Sequence, residues 1–567
     1  MYSSLRFPVV TILALMLAVA HTAPAQSLDR QVGTQFTVTA DPLVPRPSEQ
    51  PCIVQLFSDY TFAFFSESTQ DFQYTPPADC PGPWAAVVFE ANFSENAGVQ
   101  FDRTASVYLA NTDIYFGTTP EPLSTLTNTW HVERDITDYS ALLTAQQAGT
   151  IVLANCTTDC PPPYNTFLNG IFTVSADLEF YPAQGGNNSG QAPPDAVMPL
   201  VQSNGSGGLN LPALLFSPTD QLSTTFNLPL NIEQAYLDVV TQGQQSDEFW
   251  YSCVPNDLTN ELQSCGGTAF REAEISIDGQ PAGVAPVFPW IFTGGIDPFL
   301  WVPAPGVQTL DLLPYRVNLT PFAGLLSNGQ PHTVAMNVLN VNSQFSVTGT
   351  LLLYEDHGSE QVSGAVTLNT MQSPNPVITT NLQVNGSNVT GTVSTTSQRN
   401  FQVSGFVNTS HGTVTTSIQQ SVNFSNLQKF VINSNEYVQD IAQQTPVDST
   451  IATQQGWGTS FSNESFLYPL TADIKLTFPN GETVQTTTIS QEFKHFEISP
   501  YFIGGVDNVM NAKDTLNFNT GVNTDTSSSQ QYTLGNSLGQ FYGCQIRSKS
   551  NVLAFVGRGC NQTVGFK

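Results

Sequence analysis

Positive charge is scarce in this chain: 16 lysines and arginines stand against 45 aspartates and glutamates, a formal charge of -29 over 567 residues. Such a polyanion repels the phosphates of nucleic acid and the head groups of an anionic bilayer, which argues against both as partners. Charge of either sign is sparse, at 11% of residues against roughly 25% in ordinary soluble domains. Long apolar runs are missing as well, since beyond the first 25 residues nothing approaches the roughly 18 needed to span a bilayer. Long amphipathic helix patterns are nearly absent. So are the common catalytic signatures: there is no H-E-x-x-H, no C-x-x-C, no G-x-S-x-G elbow and no phosphate-binding glycine loop. His131, His332, His357, His411 and His495 stand apart from one another, so no metal is expected.

What fills the chain is β-sheet sequence. Short alternating runs such as "TASVYLA", "AEISIDG" and "TVAMNVLNV" recur between clusters of Gly, Pro and Asn, with 41 Gly and 38 Pro as punctuation. An all-β chain of sandwiches or jelly rolls follows. A repeat sharpens this: "DITDYSALLTAQQAGTIVL" from Asp135 aligns without a gap on "NLTPFAGLLSNGQPHTVAM" from Asn318, and upstream "RTASVYLAN" from Arg103 matches "REAEISIDG" from Arg271. Two copies of one sandwich are expected, over residues 26–185 and 201–360, with 186–200 as a linker by composition and 361–567 as a third, Ser/Thr/Asn/Gln-rich β region.

Arg6, the run "FPVVTILALMLAVA" and "APA" at Ala23 to Ala25 have the three parts of a secretory signal peptide over 1–25, which implies a secreted or periplasmic protein. The eight cysteines fall in local couples, Cys52 with Cys80, Cys156 with Cys160, Cys253 with Cys265 and Cys544 with Cys560, and read as four disulfides. Once the carboxylates are protonated only 16 Lys and Arg and 6 His remain to repel one another, so an acidic habitat would be tolerated.

Alternation gives the repeated strand two faces. Ala105, Val107 and Leu109 take the core side, leaving Asp102, Thr104, Ser106 and Tyr108 on a polar side that a ligand could reach. In the second copy Ala273, Ile275 and Ile277 are core, and Glu272, Glu274, Ser276 and Asp278 are polar. Acids from both copies would meet in a cleft if the sandwiches lie side by side, the arrangement that general acid–base hydrolysis needs; a solvated face is the alternative. "DEFWY", Asp247 to Tyr251, and "FPWIFTGGIDPFLW", Phe288 to Trp301, set Trp250, Tyr251, Trp290 and Trp301 beside acids. These read either as a sugar-stacking groove or as core packing.

The blocks "YTPPADCPGPWAAVVFEANFSENAGVQFDRTASVYLANTDIYFGTTPEP", "WHVERDITDYSALL", "DEFWYSC", "FREAEISIDGQPAG", "FPWIFTGGIDPFLW" and "FQVSGFVNTSHGTVTT" resemble the peptide-N-glycosidase A family, in its acid-active bacterial branch. The likeness runs from about Cys52 to beyond Gln420. It implies hydrolysis of the amide joining an N-glycan to asparagine, with N-glycosylated proteins and glycopeptides as partners and no cofactor; the oligomeric state is open, with a monomer preferred. More distantly the chain is similar to the F-type peptide-N-glycosidase, which has two jelly rolls in tandem. That resemblance implies Asp102 as the main catalytic acid and Arg103 as the residue holding its geometry by a charge-assisted hydrogen bond. The second carboxylate of the F-type falls near Gly267, so Glu248, Glu272, Glu274 and Glu261 are the candidates, with Glu248 preferred for its place beside Asp247, Trp250 and Tyr251. A further binding acid of the F-type falls near Asn155. The rival readings are a non-catalytic glycan-binding protein and a glycosidase cleaving within the glycan.

Overall fold

In the computed structural model, which describes residues 33–34, 37–121, 124–183, 192–561 and 565–566, antiparallel strands dominate. The signal peptide read over 1–25 and the first part of the linker lie outside those residues. Eight strands make the first unit: β1 (Cys52–Phe62), β2 (Thr69–Tyr74), β3 (Trp84–Glu95), β4 (Thr104–Leu109), β5 (Thr112–Thr118), β6 (Asn128–Asp135), β7 (Gln147–Leu153) and β8 (Phe172–Pro182). They form two four-stranded sheets in the orders β1-β8-β3-β6 and β2-β7-β4-β5. One apolar core lies between them, with Val87, Phe89 and Phe180 from the first sheet meeting Ala105, Val107 and Ile151 from the second.

The second unit repeats this plan with β9 (Ala196–Pro199), β10 (Leu222–Phe226), β11 (Ile232–Gln244), β12 (Glu272–Ile277), β13 (Gln280–Pro286), β14 (Tyr315–Asn318), β15 (His332–Val338) and β16 (Gln344–Glu355). Its sheets run β9-β16-β11-β14 and β10-β15-β12-β13, so adding eight to each label of the first unit gives the second. The repeated segments sit at equivalent places: those led by Arg103 and Arg271 are β4 and β12, and those from Asp135 and Asn318 are the short helical turns that follow β6 and β14.

Residues from Ser363 onward form a 14-stranded antiparallel sheet in which the long strands Asn388–Thr409 and Gly412–Ile432 pair over their whole length. This polar-rich sheet does not stand free. Phe401, Phe424, Tyr468 and Ile489 join the apolar core of the second sandwich. Its buried amides also satisfy carbonyls of irregular loops that have no strand partner: Asn426 Nδ2 donates to Tyr251 O (2.8 Å), Gln428 Nε2 to Cys253 O (2.8 Å), Gln491 Nε2 to Pro289 O (2.7 Å) and Gln485 Nε2 to Ile296 O (3.0 Å). The glutamines and asparagines of this region therefore serve the interior as well as the surface.

All four cysteine couples are disulfides: Cys52–Cys80, Cys156–Cys160, Cys253–Cys265 and Cys544–Cys560. Among the described residues, no helix is long and apolar enough to cross a membrane.

Two face assignments need correction. Ala105, Val107 and Leu109 are buried, but so are Ser106 and Tyr108. The outer face of the β2-β7-β4-β5 sheet packs on the second sandwich, where Thr348 Oγ1 donates to Asp113 Oδ2 (2.9 Å), Leu312 N–H to Phe116 O (2.7 Å) and Tyr115 OH to Leu310 O (2.6 Å). Nor do the acids of β12 turn toward Asp102. Glu272 is buried in an ion pair with Arg399 of the C-terminal sheet, and Arg399 Nη1 also donates to Glu274 Oε1 at 3.1 Å, which neutralises that face.

Candidate active site

Asp102 sits in the loop before β4, and the loop is stitched down on both sides. Val99 O accepts the N–H groups of Asn169 and Gly170 (2.9 and 3.1 Å), while Gln100 Nε2 donates to Cys156 O (3.0 Å). On the other side Arg103 N–H donates to Thr119 Oγ1 (2.9 Å) and Thr119 N–H to Arg103 O (2.8 Å). That reciprocal pair carries the chain beyond β5 alongside Asp102 and delivers Glu121 there. Thr293 Oγ1 donates to Thr119 O (2.7 Å) and brings in the Gly-Gly turn. The result is close convergence: a Cβ added at Gly294 would stand 2.6 Å from Asp102 Oδ1 and would also collide with Glu121 Oε2. A side chain at Gly294 would have to push those carboxylates aside.

The second sandwich supplies the remaining acid. Along the seam Gln242 Nε2 and Gln244 Nε2 donate to Thr104 Oγ1 (3.1 and 3.2 Å), fixing the end of β11 against the start of β4. The turn Gln245–Ser252 follows at once and holds Glu248, half-buried, within the field of Asp102.

The electrostatics separate these groups. Burial pushes Asp102 up from the ordinary aspartate value, while the Gly294 N–H and the Arg103 charge draw it back. Glu121 and Glu248 are both pushed up to about 8, first by burial and then by the charge on Asp102. Both glutamates therefore stay protonated through neutral pH. A carboxylate at Asp102 beside carboxylic acids at Glu121 and Glu248 is the pairing that general base and general acid roles require.

Arg103 does not hold Asp102 by a hydrogen bond. Its Nη2 donates instead to Gln100 Oε1 (2.6 Å), and its guanidinium lies 5.8 Å from the centre of the Phe101 ring. It acts on Asp102 by charge. Behind it Glu95 is fully buried with neither carboxyl oxygen hydrogen-bonded, and burial pushes it to about 9.

Several expected binding residues lie in the interior. Asp247 is saturated: Oδ1 takes Arg271 Nη2 (2.7 Å), and Oδ2 accepts the N–H groups of Asn342, Ser343 and Gln344 (2.9, 2.6 and 3.0 Å). Trp250, Tyr251, Trp290 and Trp301 are buried in the core shared with the C-terminal sheet, where no substrate reaches them. Trp301 nonetheless steadies the Gly-Gly turn by donating to Gly295 O (2.9 Å). Asn155 is buried as a loop clamp, donating to Phe62 O (2.9 Å) and Gly170 O (3.0 Å). Glu272 and Glu274 belong to Arg399, and Glu261 is exposed on the short helix Thr259–Leu262. Reading the sequence missed Glu95 and Glu121. Both were within the quoted block, and Glu121 closes "FGTTPE" just beyond a strand that pairs with β4, the signal that could have located it.

Two clusters of His and carboxylates exist among the described residues, away from Asp102. Glu90, His131 and Glu133 close around the Arg46 guanidinium, and Glu233, Asp356 and His411 sit where the second sandwich meets the turn before Gly412. A cavity of about 740 Å³ opens at the junction of β6, the loop before β14 and the C-terminal sheet.

Residues 42–372 match the family described as peptide N-acetyl-beta-D-glucosaminyl asparaginase amidase A. The chain is 31% identical over 402 residues to the peptide-N4-(N-acetyl-beta-glucosaminyl)asparagine amidase A of Prunus dulcis, covering 67% of each protein. Among solved structures it is similar to PNGase F, a glycosylasparaginase from Flavobacterium meningosepticum, at 14% identity and a TM-score of 0.37, over 54% of this chain and 96% of that one. It is also similar to PNGF-II, at 14% identity and a TM-score of 0.36, over 54% of this chain and 66% of that one. With a family match over more than half its length, the chain belongs to the peptide N-acetyl-beta-D-glucosaminyl asparaginase amidase A family.

Proposed function

We propose that this protein is a hydrolase that cleaves the amide between an N-linked glycan and asparagine, releasing the glycan and leaving aspartate in the peptide. The observation that carries the reading is the meeting of Asp102 and Glu121 over Gly294 with Glu248 in the same field, within a chain of this family. Asp102, ionised, takes a proton from water as the water attacks the side-chain carbonyl carbon. Glu121 or Glu248, protonated, donates to the departing nitrogen as the C–N bond breaks. The products are aspartate and a glycosylamine, which loses ammonia in water. The Arg103 charge favours the ionised form of Asp102, partly offsetting the effect of burial.

The strand orders 1-8-3-6 and 2-7-4-5, repeated in the second unit, support reading the two sandwiches as tandem jelly rolls. Four disulfides support an exported, extracytoplasmic protein. The scarcity of basic residues supports work at acidic pH, and we take the enzyme to be a monomer.

Mass spectrometry of a defined glycopeptide tests the reaction class. Release of the whole glycan with asparagine converted to aspartate is the expected outcome. One sugar left on asparagine would make the protein a glycosidase, and an intact glycopeptide retained on the protein would make it a binding module.

A further inference from the structure

Asp297 follows the Gly-Gly turn, and its carboxyl meets that of Asp514 on the C-terminal strand Ile503–Asn517. Both residues are fully buried. One oxygen of each is accounted for. Asp297 Oδ1 accepts the Phe299 N–H (3.0 Å) and caps the short helix Pro298–Trp301, while Asp514 Oδ1 accepts the Thr526 hydroxyl and Asn523 Nδ2 (3.3 Å). The Oδ2 of each has no donor, yet the two carboxyls are hydrogen-bonded to one another. Two acceptors make that bond only with a proton between them.

A cation is the other way to join two carboxylates. It would gather about six oxygens, whereas the neighbours of this pair turn donors toward it. Asn551 accepts from Asn523 Nδ2 and directs its own Nδ2 away, to Phe299 O (2.7 Å) and Val302 O (3.2 Å). Two free oxygens suit a proton. Facing the pair are Thr487 and Gln485 of the adjoining strand Val484–Ile498, and Asn523 and Thr526 of Val522–Asn536, all uncharged. Lys513 and Asp525 pair with each other on the outer face. On the active-site side, Glu121 feels a charge placed on Asp297.

We propose that Asp297 and Asp514 hold one proton between them, and that this proton fastens the C-terminal sheet to the turn carrying Gly294, which makes both aspartates positioning residues for the active site; the catalytic half rests on the reaction proposed above. Asp297 N–H donates to Gly295 O (2.7 Å), and the Gly294 N–H bonds to Asp102, so a shift at Asp297 passes directly to the wall behind the catalytic carboxylates. Burial, then the contact with Asp514, pushes Asp297 up to about 7. A carboxyl raised in this way holds its proton more tightly in the folded chain. The stability it contributes is complete below the unfolded value near 4 and is lost as pH rises to about 7.

The test is thermal melting of the full-length protein, Asp514→Asn and Asp297→Asn from pH 5 to 8. Either amide donates to the remaining carboxylate, a bond that no longer depends on a proton. Expected is a Tm difference, variant minus parent, that grows by about 2 °C or more across that range. Parallel curves would overturn the shared proton, as would a parent Tm at pH 7 that rises with millimolar calcium and falls with chelator, which would put a cation in the gap. Amide exchange of residues 293–297, corrected for intrinsic rate, should be about tenfold faster at pH 8 than at pH 5 in the parent and flat in Asp514→Asn; equal protection in the parent at both pH values would detach the pair from the turn. Asp514→Ala should lower kcat for a glycopeptide at pH 5 about tenfold with KM unchanged, and Asp514→Asn should restore it. A kcat equally low in both, or at the parent value in Asp514→Ala, would overturn the positioning role, and if Asp514→Ala does not fold, exchange decides alone. Melting and exchange need no substrate, so they stand even if no glycan is released, whereas glycan release with parallel melting curves keeps the reaction and defeats the pair.

Discussion

Asp102 and Glu121 press on the same glycine: a Cβ on Gly294 would stand 2.6 Å from Asp102 Oδ1 and inside contact distance of Glu121 Oε2. Two carboxyl groups from opposite ends of the β4–β5 hairpin thus share one backbone wall, which the second sandwich provides.

Gly294→Ala should therefore damage chemistry more than folding. The methyl must push one carboxylate aside, and misplacement on the ångström scale costs on the order of a hundredfold in rate. We expect kcat/KM to fall by about that factor with a small change in Tm. Kinetics near those of the parent would show that the carboxylates are not held where the reaction needs them.

The pH dependence has two parts. Activity requires Asp102 ionised and a glutamate protonated, so kcat/KM should hold through neutral pH and decline above about 8, where Glu121 and Glu248 lose their protons. Glu121→Gln and Glu248→Gln assign that alkaline limb: the donor is the residue whose replacement abolishes it.

Stability should lean the other way from most proteins. Asp113, buried at the seam between the sandwiches, is pushed up to about 6, first by burial, against the pull of Arg134 and Thr348. A carboxyl whose folded pKa is raised binds its proton more tightly when folded. Its contribution is thus complete below the unfolded value near 4 and lost as pH rises to about 6, at a cost of about 3 kcal/mol. Glu95, at about 9, extends the decline. Thermal melting should give a higher Tm at pH 4 than at pH 8, and Asp113→Asn should flatten the difference between pH 4 and 6. A Tm that climbs from pH 4 to 8 would contradict this.

The C-terminal sheet should matter to catalysis without touching substrate. Gln491 satisfies Pro289 O and accepts the Val307 N–H at 2.9 Å, and Gln428 satisfies Cys253 O; these loops carry Gly294 and Glu248. Gln428→Leu leaves a buried carbonyl unpaired, worth about 1 to 3 kcal/mol. Lower stability together with a reduced kcat and an unchanged KM is expected, whereas a change in KM alone would point to a substrate contact.

Much of this was legible from residues alone. The alternation of β4 and β12 placed Ala105, Val107, Leu109, Ala273, Ile275 and Ile277 inside, because period-two burial is a local property. The eight cysteines paired with their near neighbours. What sequence could not disclose was which outer faces would be covered. Ser106, Tyr108 and Glu272 read as accessible because nothing local announces that another sheet lands on them. The same blindness left Trp250 and Trp290 undecided between a sugar-stacking groove and the core in which they lie. Asp247 and Glu248 are adjacent and chemically alike, yet one is locked to Arg271 and the other faces Asp102. Only the direction of the turn Gln245–Ser252 separates them.

The most direct test of the account is the rate at which Asp102→Asn releases glycan from a glycopeptide in heavy-oxygen water, measured beside the parent protein. The account predicts that the parent yields aspartate carrying one heavy oxygen, and that Asp102→Asn, with an unchanged Tm, is slower by about a thousandfold. Turnover by Asp102→Asn within about tenfold of the parent would contradict it.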